Sequence, residues 1–424
     1  MRTQLYINGE WRDSENGAEF TVWNPTSGSE LASVASGTSG DATAAVDAAA
    51  HAQTGWAAEP PRVRSEILRQ CWENLLDHTD DLADLIVSEH GKPRVDAAGE
   101  VAYAAEFFRW NAEETVRIHG TIGASPSGGN KMIVHHPPVG VVVMVTPWNF
   151  PAAMITRKVA PALGAGNGLV IKPPKYAPLT ALRVAELLSE AGVPDGLVNV
   201  VPSQNASTVF DAAIAHKATR MVSFTGSTEV GKILLRGCAD RVLKVAMELG
   251  GNAPFVVFGD ADLDAAVEGA MIAKMRHSAE TCTAANRFLV ESSVVDAVTS
   301  KLAEAMSAGK VGNGFDPEVT CGPMIDESAV ESIDRLVSAA VDGGAEAVIG
   351  GSPIEGPGYF YEPTVLTGVN ANADIVHQEI FGPVAPIIPF DDLDAMIEQA
   401  NDTEMGLTGY VYTSDLAKGL AVSE

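Results

Sequence analysis

The segment Val139-Gly-Val-Val-Val-Met-Val145 restricts the fold more than any other part of the chain. It is a continuous, mostly β-branched run of strand length, closed by Thr146-Pro147. Such a strand has no solvent-facing side, which is the habit of parallel sheets covered on both faces. Shorter runs of the same kind follow at Leu169–Ile171, Leu197–Val201, Met221–Phe224 and Phe255–Phe258, most of them separated by helical stretches. The stretch before Leu197 closes on Ala191-Gly-Val-Pro194-Asp-Gly196, with Gly and then Pro past the last turn. Alternating strand and helix predicts a doubly wound α/β sheet. In such sheets ligands sit at the carboxyl ends of strands, so chemistry is expected there.

Ahead of that run the periodicity is helical. Residues 41–58 are alanine-rich behind Asp41, read as a cap, and a second helix from about Arg62 carries Ile67, Leu68, Trp72, Leu75 and Leu76. A third, near Asp80 to Glu89, is stopped by Gly91-Lys92-Pro93, so the start is expected to be mostly helical. Residues 116–138 stand apart: Val116–Ile118 and Lys131–Val134 are short β-like pieces around a Gly-, Ser- and Pro-rich centre. They read as a hairpin arm leaving the domain, or equally as a surface loop. A length of 424 residues allows two to three domains.

Composition narrows the function classes. Acidic residues number 55 against 28 basic, for a net charge of −27, which repels nucleic acid and anionic membranes. The excess is spread along the chain, as in a protein of a salt-rich cytoplasm or in an ordinary acidic enzyme. No apolar run approaches the ~18 residues of a membrane helix, and the N-terminus lacks the apolar core of a signal peptide, so a cytoplasmic protein is expected. Cysteines at 71, 238, 282 and 321 form no CxxC pair and no metal-ligand spacing, which fits free thiols and no metal.

Several short segments could carry chemistry. Strand Met221–Phe224 runs into Thr225-Gly-Ser-Thr-Glu-Val-Gly231, whose turn would offer free N–H groups to a phosphate. It lacks the GxGxxG spacing, and an ordinary βα turn reads the same way. Lys172-Pro-Pro-Lys175 ends another strand, where two lysines suit ribose or phosphate oxygens, or simply face solvent. In Thr146-Pro-Trp-Asn-Phe-Pro151 two prolines stiffen a turn from which Asn149 could donate to an oxyanion. Glu248, ahead of Gly250-Gly251, could act as a base if apolar neighbours raise its pKa. Cys282 lies before the strand-like Phe288–Val290.

Taken in order, these motifs, with Glu379-Ile-Phe-Gly-Pro383, resemble the aldehyde dehydrogenase superfamily over nearly the whole chain. Ala152–Lys158, Gly250–Pro254 and Asp260–Gly269 are similar to succinate-semialdehyde dehydrogenases. The resemblance implies two doubly wound α/β domains and a β-hairpin oligomerisation arm. The cofactor domain would comprise 1–115 and 139–247, the arm 116–138 and the catalytic domain 248–424. It implies a homodimer or homotetramer, Cys282 as nucleophile, Asn149 and the Cys282 N–H as oxyanion donors, and Glu248 as the base for hydrolysis. NADP or NAD would be held by Lys172 at the adenosine ribose, Gly226 and Ser227 at the pyrophosphate, Glu379 at the nicotinamide ribose and Phe381 beside the ring, with Trp148 and Leu249 also bordering it. Many NAD-preferring relatives carry Glu at position 175; Lys175 reverses that charge and implies NADP. Arg157 and Arg276 match arginines that grip the carboxylate of succinate semialdehyde, or of a similar ω-carboxy aldehyde such as glutarate semialdehyde, and would equally serve structural ion pairs in an acidic protein. Betaine or aliphatic aldehydes, or a non-catalytic NADP-binding relative, are the competing readings.

Two departures stand out. Where the family reads Asn-x-Gly-Gln, this chain has His277-Ser-Ala279-Glu280. Glu280 is expected to place a negative charge near the thiol and raise its pKa, and Ala279 to restrict a backbone where glycine allows positive φ. The family pattern also continues past Glu424 into an Asn- and Gly-rich strand that pairs with the arm, so unpaired sheet edges and weakened assembly are expected.

Overall fold

The computed structural model describes residues 1–424. They divide into two compact units, the first comprising Met1–Trp23, Glu30–Glu89 and Ala98–Leu249, the second Asn24–Ser29, His90–Ala97 and Gly250–Glu424. Segments 24–29 and 90–97 thus cluster with the second unit, although sequence reasoning assigns them to the first.

The first unit is built on a seven-stranded sheet in the order Lys244–Glu248, Thr219–Thr225, Val141–Val145, Gly168–Lys172, Val198–Val200, Leu5–Ile7, Glu10–Arg12. The first five run parallel; Leu5–Ile7 joins the edge antiparallel to Val198–Val200, and Glu10–Arg12 pairs antiparallel with it in turn. The Val141 run lies mid-sheet. Val141 and Val143 enter the core under the helix Ser39–Ala58 with Val46, Ala49 and Val170, while Val142 and Met144 face the opposite side. Burying each such valine contributes about 2 kcal/mol. From Val141–Val145 the chain adds strands in one direction, then returns to place Thr219–Thr225 on the other side. The order therefore reverses between those two strands, and their carboxyl ends carry the Thr146–Phe150 and Gly226-Ser227 turns.

The expected helices are present as Ser39–Ala58, Pro61–Asp77 and Thr79–His90. Asp41 does not cap the first. Thr38 does, and Asp41 answers from the third helical position in a reciprocal capping box. A further helix, Arg94–Thr115, starts directly after Pro93. The first 35 residues are four short strands rather than helix. The arm is an antiparallel hairpin of Thr121–Ala124 with Lys131–Val134, so its first strand lies later than Val116–Ile118. Both strands are exposed, Ile122 and Ile133 above 70%. No helix is long and apolar enough to cross a membrane.

The second unit has a six-stranded sheet in the order Glu346–Ile349, Thr364–Thr367, Val384–Phe390, Ala285–Glu291, Ala253–Val257, Tyr410–Tyr412, parallel except for the first strand. Alternate residues of Ala253–Val257 feed separate cores: Phe255 and Val257 pack with Phe288 and Leu302, and Val256 with Leu289 and Leu336. This sheet is also covered on both faces.

Candidate active site

In the first unit the site residues gather at the strand-order reversal. Val145 leads into the turn bearing Trp148 and Asn149, and Asn149 is buried. The helix Ala153–Gly164 follows, and its entry is held by buried Glu100, whose Oε1 accepts from the N–H groups of Ala152 (2.8 Å) and Ala153 (3.2 Å). Glu100 thereby fixes the turn carrying Asn149, a role that sequence pattern does not signal. On the neighbouring strand Lys172 is buried, and burial, then Lys175, lowers its pKa to about 8. Lys175 is exposed, with Nζ 4.6 Å from the Tyr176 ring, which meets Trp148 edge-on at 6.5 Å.

The Gly226-Ser227 turn starts the helix Thr228–Ala239, and the Ser227 hydroxyl accepts from the Val230 N–H. The Gly226 N–H donates to the Glu248 carbonyl at 3.1 Å, and a methyl group at Gly231 would collide with Leu249. The phosphate-type turn and the Glu248-Leu249 segment are thus packed as one structure. Glu248 ends the edge strand Lys244–Glu248 and is exposed rather than set among apolar neighbours. It lines a cavity of about 490 Å³ with Phe107, Arg157, Lys158 and Ser223. Arg157 lies over the Phe107 ring at 5.5 Å. Lys158, absent from the sequence candidates, donates to the Ser223 hydroxyl at 3.0 Å, and burial and Arg157 lower its pKa to about 8 against the pull of Glu248.

In the second unit the candidates collect at the amino ends of parallel strands, the edge opposite to the one expected. Gly250-Gly251 precedes Ala253–Val257, Cys282 precedes Ala285–Glu291, and Glu379 and Phe381 precede Val384–Phe390. Because the strands are parallel and adjacent, their entering segments are neighbours. A methyl group at Gly251 would be driven into the Cys282 carbonyl, and one at Gly250 into the Glu379 carboxylate. Glu379 accepts from the Gly251 N–H at 3.2 Å, and burial raises its pKa to about 7, against that bond and buried Lys274. Phe381 holds φ +52°, uncommon for an aromatic residue and costly unless its surroundings enforce it. Asn286 ties this edge together, donating to Asn252 (2.6 Å) and the Gln378 carbonyl (2.8 Å) and accepting from the Ile380 N–H (3.1 Å).

Cys282 is half-buried, whereas Cys71, Cys238 and Cys321 are buried. Burial raises the thiols of Cys71 and Cys238, and burial with nearby Glu280 pushes Cys321 to about 12. Cys282 is therefore the least buried of the four thiols. Arg276, Thr281 and Thr283 line a recess of about 200 Å³ with Tyr410 and Tyr412. Arg157 and Arg276 thus occupy different cavities, one in each unit.

The loop before Cys282 departs from expectation. His277, Ser278 and Ala279 have φ of +53°, +57° and +66°, a left-handed turn made without glycine, at roughly 1–2 kcal/mol per residue. This turn aims Glu280 inward: it is fully buried, Oε1 accepts from the Ile325 N–H at 3.0 Å, and Oε2 lies 3.4 Å from His90 Nε2. Burial pushes its pKa well above the usual carboxylate range, against the Ile325 N–H bond and Lys92, so the interior disfavours its charged form. The side chain expected to put a negative charge beside the thiol turns instead into the interior, where burial disfavours that charge.

The sequence profile of the Aldehyde dehydrogenase family matches residues 11–424. Succinate-semialdehyde dehydrogenase of Paenarthrobacter nicotinovorans is 54% identical over 394 residues, 93% of this chain and 88% of that protein. Succinate-semialdehyde dehydrogenase (NADP+) of Escherichia coli is 46% identical over all of this chain and 88% of its own length. A crystal structure described as an Escherichia coli NADP-dependent enzyme superimposes with a TM-score of 0.98 at 46% identity, covering 100% of this chain and 88% of that one. Profile, sequence and fold agree over nearly the full length, and the chain belongs to the aldehyde dehydrogenase family.

Proposed function

We propose that the protein oxidises succinate semialdehyde to succinate with NADP in preference to NAD, the first unit holding the cofactor and the second presenting Cys282. The observation carrying this reading is the amino edge of the second sheet, where the accessible thiol and Glu379 adjoin Gly251 and Gly250. In support of the cofactor, Ser227 leaves a helix N-terminus beside the point where strand order reverses, with buried Lys172 on an adjoining strand. Lys175 suits a 2′-phosphate better than a 2′-hydroxyl. When bound, the nicotinamide supplies a hydride acceptor.

The residues divide the chemistry as follows. The Cys282 thiolate attacks the aldehyde carbon; a C–S bond forms and the carbonyl pair moves to oxygen. The Asn149 amide and the Cys282 N–H donate to that oxyanion. Loss of hydride leaves a thioester on Cys282. Glu248 takes a proton from the water that attacks the thioester, the C–S bond breaks and the thiolate is restored. The Arg276 guanidinium, with the Thr281 and Thr283 hydroxyls lining the same recess, receives the carboxylate at the far end of the substrate. The exposed hairpin at 121–134 is assigned to assembly of a homodimer or homotetramer.

An NADP- and NAD-reduction assay with succinate semialdehyde tests this directly. Cys282→Ser is expected to lower kcat by roughly a thousandfold or more. Arg276→Ala should raise KM for succinate semialdehyde roughly tenfold or more and leave an uncharged aldehyde unaffected. Equal KM changes for both aldehydes would remove the carboxylate assignment.

A further inference from the structure

The turn before Cys282 is held by two other segments of the second unit, 90–97 through side chains and 322–325 through backbone N–H groups. Asp96 Oδ2 accepts from the His277 N–H at 2.9 Å. The Ser278 hydroxyl accepts from the Gly322 N–H at 2.8 Å. Glu280 accepts from the Ile325 N–H, and its other oxygen faces His90. Asp96 and Ser278 hold the left-handed residues themselves. Of the three tethered residues, Glu280 is the nearest in the chain to the nucleophile, two residues from Cys282. We propose that Glu280 is a positioning residue for Cys282: its carboxyl group, set between the Ile325 N–H and the His90 imidazole, fixes the turn that presents the thiol. This rests on the reading of Cys282 as nucleophile.

The chemistry of the pair follows from its surroundings. Burial drives Glu280 toward the acid and His90 toward the neutral imidazole. Lys92 opposes the first shift and reinforces the second, and Asp326 reinforces the first. A neutral carboxylic acid accepts the Ile325 N–H with its carbonyl oxygen and keeps one O–H to turn toward His90. A carboxylate has no proton to offer. A glutamine amide has both an acceptor and a donor and reproduces the arrangement. Removing the side chain leaves a turn of three left-handed residues without its bond to the Ile325 N–H.

The test compares Glu280→Gln, Glu280→Ala and Glu280→Asp in the full chain, reading kcat, aldehyde KM, NADP binding and the rate of Cys282 alkylation by iodoacetamide, with the adduct mapped by mass spectrometry. Glu280→Gln should keep kcat within about twofold at pH 7 and lose any fall in kcat that the parent shows at alkaline pH. Glu280→Ala should lower kcat and the alkylation rate together by roughly ten- to a hundredfold, since small misplacements of a reacting group cost that much, with KM and NADP binding nearly unchanged. If Glu280→Ala fails to fold, Asp decides: one methylene shorter, it cannot span both partners and should lose activity that Gln retains. Parental kcat and alkylation in Glu280→Ala or Glu280→Asp, or equal losses in Gln and Ala, overturn the proposal. An adduct on a cysteine other than Cys282 in the parent protein overturns the nucleophile reading instead.

Discussion

At the residue scale, Gly250 and Gly251 separate cofactor grip from nucleophile placement. Neither has positive φ, so their need for glycine is steric rather than conformational. A methyl group at 251 meets backbone, the Cys282 carbonyl, which cannot swing away; at 250 it meets the end of a flexible side chain, Glu379. Gly251→Ala should therefore lower kcat by about a hundredfold, and Gly250→Ala should mainly raise the NADP KM. Steady-state kinetics distinguish the two, and the reverse pattern would contradict these contacts. Lys175→Glu should invert coenzyme preference, measured as the ratio of kcat/KM values for NADP and NAD. The order of the motifs, through the resemblance they carry, made Cys282, Asn149, Lys172 and Glu379 legible as candidates; each residue alone was a weak signal. Glu280 was legible as an oddity, but its inward direction was not. Its direction depends on three successive left-handed residues and its partner His90 is 190 positions away in the chain, neither of which a local reading contains. Lys158 and Glu100 were missed for the same reason: burial, not spacing, gives them their roles.

At the scale of elements, the helix Leu179–Glu190 is capped from a distance. Buried Glu89 accepts from the Leu179 N–H at 2.8 Å and from both the N–H and hydroxyl of Thr180. Burial raises its pKa to about 7, above its unfolded value. The stability it contributes is complete below about pH 4.5 and is lost as pH rises through about 7. Glu89→Gln should flatten the decline in Tm across that window; a decline equal to the parent's would show that other groups cause it. The hairpin Thr121–Ala124 with Lys131–Val134 exposes Ile122 and Ile133. Replacing both with Asp should shift the protein to smaller assemblies in light scattering without changing its circular dichroism. The long buried strands were readable because continuous β-branched runs have few other uses. Leu5–Ile7 and Glu10–Arg12 were not, since three-residue strands are specified by the sheet edge they join rather than by their own pattern.

Over the whole molecule, a net charge of −27 acts against compactness. Salt screens that repulsion within a Debye length of about 10 Å at 0.1 M, so Tm and activity should rise as KCl increases toward ~1 M. A flat or falling profile would mean that the carboxylates serve another purpose. Fold class was plain from strand and helix alternation, whereas the edge of the second sheet that carries the chemistry was not, because only the assembled strand order shows which loops are neighbours. That gathering at one edge also has a consequence in time. Gly250, Cys282 and Glu379 come from strands whose entry points span some 130 positions of chain, and none of their contacts exists until those strands are in register. Long loops must close before such pairing is rewarded. On refolding, helical signal should return early and catalysis last, and a nascent chain still emerging from the ribosome would be inert until its final parallel strands had docked.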